Sequence, residues 1–159
     1  MTERTSSTHS LQAVVAKRFK TFLAANGLRQ TPERYALLKA IYDIDGLFTI
    51  EELSEQMDIR RFPVSTATIY SAMQLFVQAN LVIRHPFSTT AAVYERISDD
   101  RPRCYQICSN CHHITRIKSK ELAKGVTTFR PRRFTPTHRV AYIYGVCPKC
   151  EKQQAKAAV

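Results

Sequence analysis

Leu11, Val14, Val15, Phe19, Phe22 and Leu23 recur at the three- and four-residue spacing of one helical face, and Asn26-Gly27 supplies a stop. This predicts a first helix. Thr31-Pro32 reads as an N-cap followed by proline at the first helical position, with Tyr35, Leu38, Ile41 and Tyr42 as the buried stripe of a second helix ending near Asp45-Gly46. Thr49 followed by Glu52 has the form of a capping box and opens a short helix to about Met57. After a basic turn, Arg60-Arg61-Phe62-Pro63, Ser65 caps a fourth helix that turns Ile69, Met73, Leu75 and Phe76 inward. Thr66, Thr68, Tyr70, Ser71 and Gln74 are left on its outward face. The β-rich runs Leu81-Val82-Ile83 and Ala92-Val93-Tyr94 flank Pro86 to Thr90, so the segment between helix four and residue 97 reads as a hairpin with a longer loop. Helices followed by such a hairpin make a winged helix over residues 1–97.

Residues 98–102, polar, charged and closed by Pro102, are the natural hinge. Residues 103–151 then read as a strand (Cys104 to Ile107), a cysteine knuckle, a strand (His113 to Ile117), a helix (Ser119 to about Lys124), a basic loop (Arg130 to Thr137) and a long strand (Arg139 to Gly145). The expected fold class is α+β, an N-terminal winged helix-turn-helix followed by a small α/β domain. Residues 1–10 and the Ala/Lys/Gln tail at 152–159 are expected to be disordered.

Composition narrows the partner. The net charge is +11 over 159 residues, which suits a polyanion, nucleic acid being the commonest. Its distribution is uneven: residues 1–95 carry ten basic and nine acidic side chains, whereas residues 96–159 carry fourteen and four. No apolar run approaches the ~18 residues that span a bilayer, and the polar start lacks the pattern of a secretory signal. A cytoplasmic protein without membrane contact is the expectation, and in a reducing compartment five cysteines argue for metal rather than disulfides.

Cys108-Ser-Asn-Cys111 and Cys147-Pro-Lys-Cys150 are two C-x₂-C pairs, 35 residues apart. Four thiolates that grip one ion from two sides favour tetrahedral zinc, and a site with no position open for water is structural. A redox dithiol needs only one pair, and a zinc nucleobase deaminase needs a His-x-Glu that is absent here. Cys104 is left over, as a small buried hydrophobe, a redox thiol or an auxiliary ligand. His112 and His113 follow the first knuckle directly, and alternation along a strand keeps them off a common metal.

Thr31-Pro-Glu-Arg34, Val64-Ser-Thr-Ala-Thr-Ile-Tyr70, Val93-Tyr-Glu95, and Ile107-Cys-Ser-Asn-Cys111 paired with Tyr144-Gly-Val-Cys147-Pro-Lys-Cys150 together resemble the ferric uptake regulator family. The similarity covers about residues 11–150. It implies a homodimeric transcriptional repressor, with an N-terminal winged helix that reads double-stranded DNA and a C-terminal dimerisation domain. It further implies control of metal or haem acquisition or of stress genes. The resemblance places the recognition helix on Ser65 to Gln74, with Ser65, Thr66, Thr68, Tyr70 and Ser71 toward the DNA and Tyr70 at the base edges. Arg34 falls near the phosphates. No Lys or Arg occurs between Val64 and Ile83, so phosphate affinity is expected from Arg29, Arg34, Arg60, Arg61 and Arg84.

The chain departs from the family at the hinge. Where the resemblance would place five sensing ligands stand Leu47, Glu95, Arg103, Tyr105 and Arg116, of which only Glu95 keeps the family's ligand. A second family site would fall on Pro102, Cys104, Ala123 and His138, with His138 matching. The residual sensing candidates are therefore Glu95, Cys104, His112, His113 and His138, and the arginines oppose a regulatory divalent metal. A haem- or redox-responsive regulator using Cys104 or Cys147 is the alternative; a zinc or dithiol enzyme is a further one.

Overall fold

The structure, a computed structural model, describes residues 3–87, 91–97 and 102–157. Its elements fall into two compact units, Met1–Ser98 and Asp99–Val159. Of the expected hinge, residues 98–101 lie outside the described residues.

The first unit opens on α1, Glu3–Ala25, and α2, Pro32–Asp43. Helix α1 therefore begins ahead of Leu11, inside the stretch expected to be disordered; once a helix is nucleated, each added residue needs no second nucleation. Gly27 stops it at φ +63. Leu28 N–H reaches the Leu23 carbonyl at 2.9 Å and Gly27 N–H that of Ala24 at 3.2 Å, the double bond of a Schellman stop, where a left-handed residue is required. Thr31 caps α2 ahead of Pro32. Helix α3, Ile50–Ile59, starts in a full capping box, Glu52 N–H to Thr49 Oγ1 at 3.2 Å and Thr49 N–H to Glu52 Oε2 at 2.8 Å. Helix α4, Thr66–Gln78, starts at the Ser65 cap.

Between and after the helices lie three short antiparallel strands: β1 (Leu47–Phe48), β2 (Val82–His85) and β3 (Val93–Arg96), in the order β1-β3-β2. The hairpin wing was expected; β1 was not. Two residues carry no readable period, and β1 exists because β3 has an open edge, on which Leu47 sits opposite Glu95. The helices and sheet close over one core in which Phe19, Leu23, Leu37, Ile41, Leu53, Ile69 and Phe76 lose all exposure. Each such side chain contributes about 1.5–3 kcal/mol on burial. Phe19 meets Phe76 edge-on at 4.9 Å, which joins α1 to α4 and fixes the opposite face of α4 outward.

In the second unit β4 (Arg103–Cys108) is the middle strand of a three-stranded sheet, antiparallel to β5 (Ile114–Arg116) and parallel to β6 (Val140–Gly145). Helix α5, Lys120–Thr128, is the crossover that a parallel neighbour demands. It runs beyond Lys124, through Gly125. The chain ends in α6, Pro148–Ala157, which corrects the expectation of a disordered tail. Ala, Lys and Gln are strong helix formers, Pro148 suits a first helical position, and Glu151 N–H closes the first turn on the Cys147 carbonyl at 3.0 Å.

Burial in this unit is thin. Among its described residues the buried ones are Arg103, Cys104, Tyr105, Ile107, Cys108 and Cys150, while Phe129, Phe134, Ile143, Tyr144 and Val146 are exposed.

Candidate functional site

Parallel pairing decides where the cysteines go. Strands β4 and β6 run side by side and end together, with Cys108 opposite Gly145, so the knuckle after β4 and the turn before α6 emerge at the same end of the sheet. Ser109 N–H donates to the Gly145 carbonyl at 2.7 Å and locks the two exits. The Sγ atoms of Cys108, Cys111, Cys147 and Cys150 consequently lie within 4.8 Å of one another. Cys111 and Cys147 are 3.8 Å apart. Four sulfurs around one zinc at the usual ~2.3 Å stand about 3.8 Å from each other in tetrahedral geometry, so the donor set and its spacing fit that ion.

The backbone already favours charge on the cluster. Amides of Cys111, Cys147 and Asn110 point at Cys108 and lower its thiol to about 6; the Cys147 N–H lies 3.3 Å from its sulfur. Cys150 has a lowering hydrogen bond from the Asn110 side chain, yet burial and its bonds to the other three thiols push it up to about 12. A compact thiol set without a cation holds some of its protons in this way, and a divalent ion displaces them. The cluster can staple β4, β6 and α6.

The second surface is the outward side of α4. Tyr70 is half exposed and Thr66, Ser71 and Gln74 are exposed, with Thr68 partly covered. Three of the hydroxyls expected to face a partner already have bonds. Ser65 Oγ accepts from Thr68 N–H at 3.2 Å and lies 2.8 Å from Thr68 Oγ1, and Ser71 Oγ donates to the Thr68 carbonyl at 3.0 Å. Beside α4 stands the wing, where Arg84 points outward from β2. Among the basic candidates, the Arg34 guanidinium folds back onto the Arg29 carbonyl and Arg60 pairs with Asp43 at 2.9 Å. Arg61, at φ 55, stays exposed in the turn before α4.

The sensing candidates fare differently. Glu95 is buried on β3, and its Oε2 is 3.2 Å from Nε2 of His85, itself shielded and stacked on Phe87 at 4.8 Å. His85 escaped the sequence reading, although alternation along Val82-Ile83-Arg84-His85 puts it on the face opposite Arg84. Cys104 is buried on β4 and its thiol is raised, first by that burial. His112 lies in the turn at φ 58 and His113 is exposed; His138 is exposed, with Nδ1 3.2 Å from Thr137 Oγ1. Among the described residues, the four cysteines are the one gathered set of three or more metal-ligating side chains.

The ferric uptake regulator family profile matches residues 25–141 of this chain, which is most of both units. The chain belongs to that family. A ferric uptake regulation protein of Campylobacter jejuni is 29% identical over 151 residues, covering 92% of this chain and 94% of that protein. The peroxide operon regulator of Bacillus subtilis is 27% identical over 139 residues, covering 83% and 90%. Among solved structures, the Helicobacter pylori ferric uptake regulator superposes with a TM-score of 0.63 at 15% identity, covering 88% of this chain and 93% of that one. The Pseudomonas aeruginosa regulator with manganese gives a TM-score of 0.63 at 22% identity, covering 81% and 97%. At such identities these superpositions speak for the fold, and the winged helix followed by an α/β unit is a ferric uptake regulator fold.

Proposed function

We propose that this protein is a homodimeric, sequence-specific DNA-binding repressor whose C-terminal unit is held together by one zinc on Cys108, Cys111, Cys147 and Cys150. The observation that carries the DNA-reading part is α4: a helix capped at Ser65, pinned to the core by Ile69, Met73 and Phe76, and leaving Tyr70 and Gln74 in solvent beside a two-stranded wing. A side face rigid from within and polar outside is what groove entry requires. Residues 1–97 form the reader, 98–102 the hinge and 103–151 the dimerisation and zinc domain.

Dimerisation is supported by the second unit's exposed Phe129, Phe134, Ile143, Tyr144 and Val146, more apolar surface than a lone small domain leaves in water. Family membership supports regulation of metal or haem acquisition or of stress genes, and a regulator rather than an enzyme. No helix of the described residues is long and apolar enough to cross a membrane, and a DNA partner implies work in the cytoplasm.

The test is selection of duplexes from a randomised pool by the purified full chain. The expected product is a pseudo-palindrome whose half-sites are one helical turn, ~34–36 Å, or a multiple of it apart. Recovery of a random pool, with no motif, would overturn the reading.

A further inference from the structure

Thr66, Tyr70, Gln74 and Gln78 stand four residues apart on α4 and all four are exposed, so they form one row along the helix. Neither glutamine amide has a hydrogen-bond partner among the described residues, whereas the Ser65 and Thr68 hydroxyls are engaged in the cap and that of Ser71 donates to the Thr68 carbonyl. Gln74 also lines a cleft of about 440 Å³ between α4 and the wing, together with Tyr70, Gln78, Arg84 and Tyr94. Arg84 is exposed on β2, directly across the strand pair from Tyr94, on which its charge acts.

We propose that Gln74 is a specificity-determining residue that reads an adenine in the major groove, while Arg84, across the cleft, holds a phosphate of the same half-site. A glutamine amide offers one donor and one acceptor in a plane, which complements adenine N6–H₂ and N7. Guanine presents two acceptors there and is met bidentately by arginine or lysine, neither of which occurs on α4. Reach separates the two glutamines. At 1.5 Å per residue Gln74 stands ~12 Å along the axis from Thr66 and Gln78 ~18 Å; a recognition helix contacts base edges from its N-terminal part, so Gln74 is the nearer of the two glutamines to the bases. Arg84 has donors only and stands exposed on the wing, which suits a phosphate oxygen.

The inference rests on α4 being the reading helix, and the experiment separates the two. Wild type, Tyr70→Ala, Gln74→Ala, Gln74→Arg and Arg84→Ala full-length proteins are each used to select from duplexes randomised over ~30 base pairs, and the enriched sites are titrated at several salt concentrations. Wild type is expected to enrich adenine at one symmetry-related position per half-site. Gln74→Ala erases that preference alone, with the wild-type site bound about tenfold more weakly, and Gln74→Arg converts the position to guanine. Arg84→Ala weakens selected and random duplexes equally and lowers the salt slope by ~0.9 per subunit. A wild-type motif that Gln74→Ala leaves unchanged at every position, in a protein with unaltered thermal unfolding, overturns the role of Gln74 while Tyr70→Ala still reports on the helix. Absence of any wild-type motif overturns the DNA-reading assignment and this inference with it.

Discussion

The imidazole Nε2 of His85 lies 3.2 Å from the carboxylate Oε2 of Glu95, with both side chains almost entirely withdrawn from solvent. Glu95 is held on β3, between β1 and β2, with His85 as its buried partner. Breaking a buried charged or hydrogen-bonded pair costs on the order of 3 kcal/mol, because the remaining group keeps its desolvation penalty. His85→Ala is expected to destabilise the first unit by about that amount in urea unfolding. Glu95→Gln, which retains an acceptor, should lose less. Equal stability of His85→Ala and wild type would show that the pair is not a structural element.

Hinge metal sensing follows the same logic. Sites for an exchangeable divalent metal gather several His, Asp or Glu ligands. Here Leu47 sits opposite Glu95, Tyr105 opposite Arg116, and Arg103 is buried on β4. DNA affinity of the zinc-loaded protein is expected to be the same with added iron, manganese or zinc as with a mild chelator that spares the thiolate site. A reproducible tenfold gain on adding metal, ~1.4 kcal/mol of coupling, would reveal a sensing site, with Glu95, Cys104, His112, His113 and His138 the first residues to replace.

Zinc content tests the cluster. The purified chain should carry about one zinc per protomer, held by four thiolates in a closed site. Because the second unit shields so few side chains, Cys108→Ser or Cys150→Ser should unfold it and abolish the dimer, read by circular dichroism and by sedimentation. A folded, dimeric, zinc-free variant is the outcome that contradicts this.

Tyr70 and Arg34 should separate reading from holding. Removal of a base contact costs discrimination of about 1–3 kcal/mol, so Tyr70→Ala should bring operator affinity toward that for random duplex. Arg34→Ala should weaken both alike, as phosphate contacts do, and its effect should be small, since the guanidinium is already turned onto the Arg29 carbonyl. An anisotropy titration in which Tyr70→Ala keeps full operator preference would remove α4 from the interface.

What lies within a few residues along the chain was readable from the sequence. The Thr49–Glu52 capping box, the Ser65 cap and the Gly27 stop depend on neighbours three to five positions away and on φ preferences that residue type sets. The cysteine spacing belongs to the same class, because two C-x₂-C knuckles each preform half of a tetrahedron.

Other features depend on which strand lies beside which, and no local pattern encodes that. The open edge of β3 recruits Leu47–Phe48 as a strand, and strand pairing brings Glu95 to His85. The parallel register of β4 and β6 brings two distant knuckles to one end of a sheet. Residue types therefore determined the helices, their caps and the metal chemistry, whereas tertiary packing decided which polar groups were used up internally and which, like Tyr70 and Gln74, stayed in solvent. The physical reason is that a capping bond forms between near neighbours in sequence, while burial and strand pairing are settled only when the whole unit closes.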